Sequence, residues 1–291
     1  CVKDKTQDGL SIRNNASVLG FKGEMKRNGL TAFYKHLLRS HNDEIFAPGS
    51  LQTLYYYAGF KGRFGSLKGG TLSTPYKLPA LSIDPFYDTS AGARGFDGAS
   101  FGLSQLSMGF TKNAIAIKSP ALMGVSVDVA IIIDDTNADK HDYNAGFRFK
   151  SGAFSAGLQH LSLQSSKAVA KSTGEGDATR FWFSYSTKKW SLAGSGEKIF
   201  IKGGNNEEHY FLAGTITPVP DLKLAATLGK SNVLDTPVLD GKGSSVGFFY
   251  TLVPKFQIFG LFSKLFRDSG LEEREVFSLG MILNFGLSHR N

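Results

Sequence analysis

The chain carries one cysteine, Cys1, among its 291 residues. No internal disulfide can close it, so its stability must come from packing or from backbone pairing. Proline and tryptophan are scarce, at 9 and 2 residues. No run of about 18 apolar residues occurs, which removes any transmembrane helix. A membrane is not thereby excluded. A barrel strand turns only every second side chain to lipid, and its mean hydropathy stays near neutral; here it is slightly negative. There is no Lys/Arg-rich block despite a net charge of +8. The basic residues are scattered at alternate positions, so a nucleic-acid partner is not expected.

Catalytic patterns are lacking as well. His36, His41, His141, His160, His209 and His289 form no Ser/His/Asp arrangement and no metal-ligand spacing. No enzyme activity, cofactor or metal is expected. Glu207-Glu208-His209 reads as an exposed loop, and His160 as a lipid-boundary or packing residue on a strand face. The glycines of Gly194–Gly204 follow no phosphate- or dinucleotide-binding pattern and fit close strand packing.

Present in quantity are glycine (34), phenylalanine (24) and tyrosine (10). Phenylalanine and tyrosine favour strands and suit a membrane–water boundary. Segments of roughly ten residues alternate apolar and polar from end to end. In Leu54–Arg63, Leu54, Tyr56, Ala58 and Phe60 oppose Tyr55, Tyr57, Gly59, Lys61 and Arg63. In Asp142–Lys150, Tyr143, Ala145, Phe147 and Phe149 oppose Asn144, Gly146, Arg148 and Lys150. Phe181, Phe183 and Tyr185 oppose Arg180, Ser184 and Ser186. Later segments repeat this less cleanly, as in Tyr210–Ile216, Leu222–Leu228 and Phe256–Phe266. About fifteen segments can be counted, an odd number where a closed single-chain barrel needs an even one.

Connections alternate strictly between short turns (Lys26–Gly29, Phe64–Ser66, Ser119–Met123, Lys150–Ala153, Thr187–Trp190, Thr217–Leu222, Pro254–Lys255) and longer polar loops (Ser40–Ser50, Pro75–Lys112, Asp134–Asp142, Leu163–Thr179, Gly203–Glu208, Ser231–Ser245, Arg267–Glu273). A soluble β-sandwich would not sort its turns into two classes so consistently. Its buried face would also be rich in Leu, Ile and Val rather than Phe, Tyr, Ala and Gly. The pattern predicts an all-β transmembrane up-and-down barrel, one domain over residues 1–291, with a polar interior.

Three segments carry a resemblance. Asn15–Leu30 reads NASVLGFKGEMKRNGL, and Ala58–Pro75 reads AGFKGRFGSLKGGTLSTP. Asp84–Gly92 reads DPFYDTSAG and is followed by Asn113–Pro120, NAIAIKSP. In order and spacing they resemble the first strands, second hairpin and long third loop of the general porins of Gram-negative bacteria. The resemblance implies a 16-stranded barrel in the outer membrane of a Gram-negative bacterium, usually a homotrimer. Membrane lipid and lipopolysaccharide would surround it, and residues 75–112 would fold into the lumen as a constriction. Cys1–Asn14 reads as the first loop, so a first strand is expected either upstream or supplied in a way the sequence does not display. The closing LSHRN departs from the family's aromatic end.

On this reading the chain is a passive diffusion channel for ions and small hydrophilic solutes. The alternative is a structural or adhesive outer-membrane barrel with a closed lumen. Alternation assigns Lys22, Lys35, Arg39, Lys61, Arg63, Arg148 and Lys150 to the lumen. In the inward loop, Asp84, Asp88 and Asp97 are expected to face this basic wall and set a transverse field. A purely local role for Asp84 remains open, because Asp-Pro commonly starts a turn. Anion-preferring relatives carry arginines where this chain aligns Val18, Thr71 and Ala116. Neutral residues there imply weak selectivity with a mild anion preference.

Overall fold

The computed structural model describes residues 2–4, 9–11, 17–40, 51–94, 100–107, 110–137, 139–164, 175–204, 206–234, 240–267 and 273–285. Two three-residue strands, β1 (Val2–Asp4) and β2 (Gly9–Ser11), precede fifteen longer ones. These are β3 (Val18–Arg27), β4 (Leu30–Ser40), β5 (Leu51–Gly62), β6 (Gly65–Leu72), β7 (Thr111–Lys118), β8 (Val125–Ile133), β9 (His141–Ser151) and β10 (Phe154–Leu163). They continue as β11 (Gly176–Ser186), β12 (Trp190–Ile201), β13 (Glu207–Val219), β14 (Leu222–Val233), β15 (Gly241–Val253), β16 (Phe256–Arg267) and β17 (Glu273–Leu283). Between β6 and β7 the described residues form a short α-helix, α1 (Leu78–Ile83), and a 3-10 turn at Gln105–Ser107.

All the strands belong to one sheet. From β3 to β17 each long strand pairs antiparallel with the next. β17 then pairs with β1, and β1 with β2, which stands beside β3 in the sheet order. β3 and β17 run in the same direction, and β1 and β2 both stand between them, β1 pairing antiparallel with β17 and with β2. The register of β1, Asp4 opposite Val276 and Val2 opposite Ser278, sets it beside the half of β17 nearer the long loops. The stretch expected to be only a loop therefore contains a strand pair.

Short turns gather at one rim. At the β3–β4 turn, Asn28 and Gly29 both have positive φ (49° and 79°). That is the mirror-image turn whose twist matches a hairpin, and Asn-Gly is its preferred pair. Cross-strand partners share a face, so the register sorts the side chains. Leu19, Phe21, Met25, Tyr34, Phe60, Ile117, Phe147 and Phe181 point outward and are exposed. Soluble monomers rarely expose a contiguous apolar surface on this scale. Aromatic pairs stand at the short-turn rim, with Tyr185 stacked on Trp190 and Phe149 near Phe154. They form part of an interfacial girdle. The second face encloses the lumen.

Candidate pore constriction

The chain between β6 and β7 folds into the lumen because the wall offers it an apolar bed. The inward faces of β7 to β12 contribute Ala114, Ala116, Ala130, Ile132, Leu161 and Ile199, which pack with Tyr76 and Leu106 of the loop. Further along, Ala80, Ile83, Phe101 and Leu103 pack on Trp182, Phe211 and Ala213. Phe86 and Ala91 pack on Ala225, Phe249 and Leu261. The lumen is therefore not uniformly polar, as the alternation implied. Under the loop, the inward faces of these strands mix apolar residues with polar ones.

Polar anchors fix the loop's position on this bed. Arg180 and Glu197, opposite each other on β11 and β12, are fully buried and bonded at 2.7 Å. Arg180 also donates to the Tyr76 carbonyl (2.9 Å) and to Ser107 Oγ (2.5 Å). Its guanidinium lies 4.6 Å from the centre of the Tyr76 ring. Glu197 accepts from the Tyr76 hydroxyl (2.5 Å) and from Ser104 Oγ (2.8 Å). Other anchors spread around the wall. The Tyr76 N–H donates to Asn144, the Gly102 N–H to Ser231, and Ser245 Oγ to the Ala91 carbonyl, each at 2.8 Å. Each bond satisfies a loop group that would otherwise be buried without a partner. Gly102 sits at φ +89°, where a Cβ would collide with the Tyr210 carbonyl. Gly102→Val is expected to strain this approach by about 1–3 kcal/mol and to raise open-channel current noise, read in single-channel recordings.

The assigned residues divide. Lys22, Lys35, Arg39, Lys61, Arg148 and Lys150 lie on the inward face. Arg148 is tied to Asp128 at 2.5 Å and reaches the Pro75 carbonyl at 3.3 Å, so part of its charge is spent on the wall. Arg63 is in the exposed turn between β5 and β6, at the rim rather than along the channel. Val18 faces inward opposite Arg39 and is exposed. Ala116 faces inward but is covered by the loop. Thr71 corrects the alignment with the relatives: it pairs with the outward Tyr56, on the same face of β6 as Leu67 and Gly69. It lies on the outer face, not at the eyelet.

Asp84 is corrected too. It is buried, and its carboxylate accepts from the N–H groups of Phe86 (2.8 Å) and Ala93 (2.9 Å). It shapes the turn after α1 and does not face the channel. Burial pushes its carboxyl up to about 6, against the pull of those N–H donors and Arg94. Asp88 is exposed and paired with Arg94 at 3.4 Å. Asp97 lies outside the described residues. His209 is a third correction. It is buried on β13, bonded to Ser231 and Glu207 at 2.8 Å each, because the loop before it ends at residue 206. His160 faces outward, beside Thr179 and Asp177.

The loop thus covers the β7–β16 side of the lumen and leaves the β3–β6 side as its open wall. That wall carries Lys22, Lys35, Lys61 and Lys68, with Glu24 bonded to Lys61 at 2.6 Å. Beside it lie the buried Lys77 and Arg94 of the loop and the exposed Asp88. Lys77 is buried, with its ammonium 3.9 Å from the Phe110 ring centre. Burial, with Arg94 nearby, lowers it to about 7. Sequence reading missed Lys68, Lys77, Tyr76 and Glu197. Lys68 and Glu197 occupy inward positions that a strict alternation count would have marked. Lys77 and Tyr76 sit in a loop, where no periodicity applies.

No protein-family profile and no curated protein matches the chain in sequence. Solved structures do match in shape. An anion-selective porin from Comamonas acidovorans superposes with a TM-score of 0.76 at 14% identity, over 91% of this chain and 88% of that one. OmpF of Salmonella typhi, solved with daunomycin, gives 0.74 at 12% identity, over 97% and 94%. An engineered variant of the Rh. blastica porin gives 0.69 at 11% identity, over 98% and 96%. With its single up-and-down sheet and its loop packed inside, the chain has the fold of the general porins.

Proposed function

We propose that this barrel is an outer-membrane porin of a Gram-negative bacterium, a passive channel for ions and small hydrophilic solutes with a mild anion preference. The observation that carries the reading is the asymmetric lumen. One half is packed by the anchored loop, and the other is a wall of lysines beside it. Low-dielectric walls strengthen the field of such charges along a narrow path. The field favours anions, while Asp88, Glu24 and Asp128 offset part of it. Likeness to a porin described as anion-selective supports the direction. The neutral, inward Val18 argues for weak rather than strong selectivity.

A homotrimer fits the outer surface. A groove across β3–β7 is lined by Gly23, Ala32, Tyr34, Ala58, Gly69 and Ile115. Its small residues allow a neighbouring wall to approach closely. Elsewhere the apolar band meets lipid and lipopolysaccharide.

The test is the zero-current potential of purified protein in a planar bilayer under a steep KCl gradient. Stable conductance with a small potential of the anion-preferring sign is expected. Strong cation preference would refute the selectivity. Folded protein that does not conduct would have a closed lumen, which returns the reading to an adhesive or scaffold barrel.

A further inference from the structure

Four aromatic rings climb the open wall from the short-turn side to the constriction. Phe33 meets Tyr57 with centroids 6.3 Å apart, Tyr57 meets Tyr55 at 5.7 Å, and Tyr55 meets Phe110 at 4.7 Å. All three contacts are edge-to-face, at 81°, 85° and 79°. Each ring carries one ammonium. Lys61 lies 5.7 Å from the Phe33 centroid, Lys68 5.3 Å from Tyr57, Lys35 4.1 Å from Tyr55 and Lys77 3.9 Å from Phe110. The backbone makes room for this. Phe33 stands opposite Gly59, where a Cβ would come within 2.8 Å of Phe33 Cζ. Tyr57 stands opposite Gly70. All four rings are half-buried, so each keeps surface toward the channel.

A wall that only had to stay wet would carry hydroxyls and amides at these inward positions. Rings interleaved with lysines recognise something else. Lys61 is shared with Glu24, whereas Lys35 and Lys68, at the centre of the row, form no carboxylate ion pair among the described residues, although Asp128 acts on Lys68 from a distance. An ammonium over a ring is held by the ring's negative face and keeps its charge for an anion. We propose that the inward face of β4–β6 is a binding track for aromatic carboxylates. The carboxylate would pair with Lys35 or Lys68, and the solute's ring would insert edge-to-face at Tyr55 and Tyr57. Sugar acids fit less well. A sugar stacks its C–H face on an open ring face, and here the rings alternate orientation and are flanked by ammonium groups.

The proposal rests on the porin reading for access to the track, and its test separates the two. Benzoate and gluconate are each added to the wild-type channel in symmetric KCl, and block is measured as a fraction of that channel's own KCl current. Benzoate is expected to half-block at about a tenfold lower concentration than gluconate, the scale of one to two aromatic contacts. Tyr57→Leu is expected to remove most of that difference, and Phe33→Leu to reduce it. Lys68→Gln is expected to weaken block by both anions. Equal block by the two anions in the wild type, or an undiminished difference in Tyr57→Leu, would overturn the track. If the folded barrel does not conduct, the porin reading falls. The track is then read by equilibrium dialysis of benzoate and gluconate against the barrel in detergent. Retention of benzoate above gluconate that is lost in Phe33→Leu sustains it, and equal retention overturns it.

Discussion

Arg180→Met is expected to free the inward loop and turn a quiet channel into a larger, noisier one. The substitution removes the donors that hold the Tyr76 carbonyl and Ser107. It also leaves the buried Glu197 carboxylate without its ion-pair partner, held only by the Tyr76 and Ser104 hydroxyls. Breaking one side of a buried pair costs about 3–5 kcal/mol, mostly as the penalty on the charge left behind. The barrel need not unfold to relieve it. Its strands are held by backbone ladders on both sides, whereas the loop rests on packing and a few anchors. Detaching the loop lets water reach Glu197 at the least structural cost. The measurement is single-channel conductance and open-channel noise, with gel mobility before and after heating as the check that the barrel is intact. Arg180→Met/Glu197→Leu should recover part of the wild-type behaviour, because it removes the buried charge although Tyr76 and Ser104 lose their acceptor. A double variant as noisy as Arg180→Met alone would mean that the uncompensated carboxylate is not what drives the loop off. Wild-type conductance in the single variant would show that the apolar bed alone suffices.

The second large effect is a rise in anion preference as pH falls from 8 to 6. Lys77 holds its proton only up to about 7, chiefly because it is buried, with Arg94 and Arg39 beside it and Asp88 pulling the other way. It is neutral at pH 8 and charged at pH 6. Asp84, at about 6, loses negative charge toward the same end of the range. Both changes make the loop more positive. One added charge beside a narrow aqueous path is expected to raise the chloride-to-potassium permeability ratio about two- to threefold at low salt, and less at high salt, where it is screened. Lys77→Met should flatten most of this dependence. A wild-type ratio that stays constant between pH 8 and 6, or a variant that keeps the full slope, would remove Lys77 from the account. Linkage gives a second sign to check. The docked ammonium releases its proton below the 10.5 of a free lysine, so docking strengthens as pH rises through 7 toward 10. Loop noise should therefore fall over that interval.

Much of this was legible in the sequence, and the reasons differ from residue to residue. Tyr56 and Phe60 against Tyr57 and Lys61 read correctly because β5 has lipid-side apolar groups on one face and channel groups on the other. The fading of the pattern in later segments had a cause that the sequence did not display. Phe211, Ala213, Ala225, Leu261 and Leu265 are inward residues that bed the loop, so the inward faces of β13, β14 and β16 mix apolar residues with polar ones such as Thr227 and Ser263, and the period weakens. Alignment with relatives puts Thr71 at the eyelet, whereas the alternation of β6 itself sets it outward with Leu67 and Gly69. Asp84 was a choice between two chemistries, and two backbone N–H donors decided it. His209 was assigned to a loop because the position of a strand's first residue is the weakest inference from a single sequence.

What the sequence determined by itself was everything set by local period and local turn chemistry. That covers the all-β class, the count of long strands, the two classes of connection, the outward apolar band and the inward lysines of β3–β5. Each follows from a strand exposing alternate residues to unlike surroundings and from turn residues such as Asn28-Gly29 that act within the hairpin. Only the tertiary structure decided which wall the loop covers, and therefore which charges remain in the channel. Arg180 and Glu197 meet Tyr76 across 104 and 121 residues of chain. The rings of Tyr55 and Phe110 likewise come together from separate parts of the chain. Contacts of that span leave no period in the sequence, because they are set by the closure of the sheet and by the volume that the loop must fill inside it.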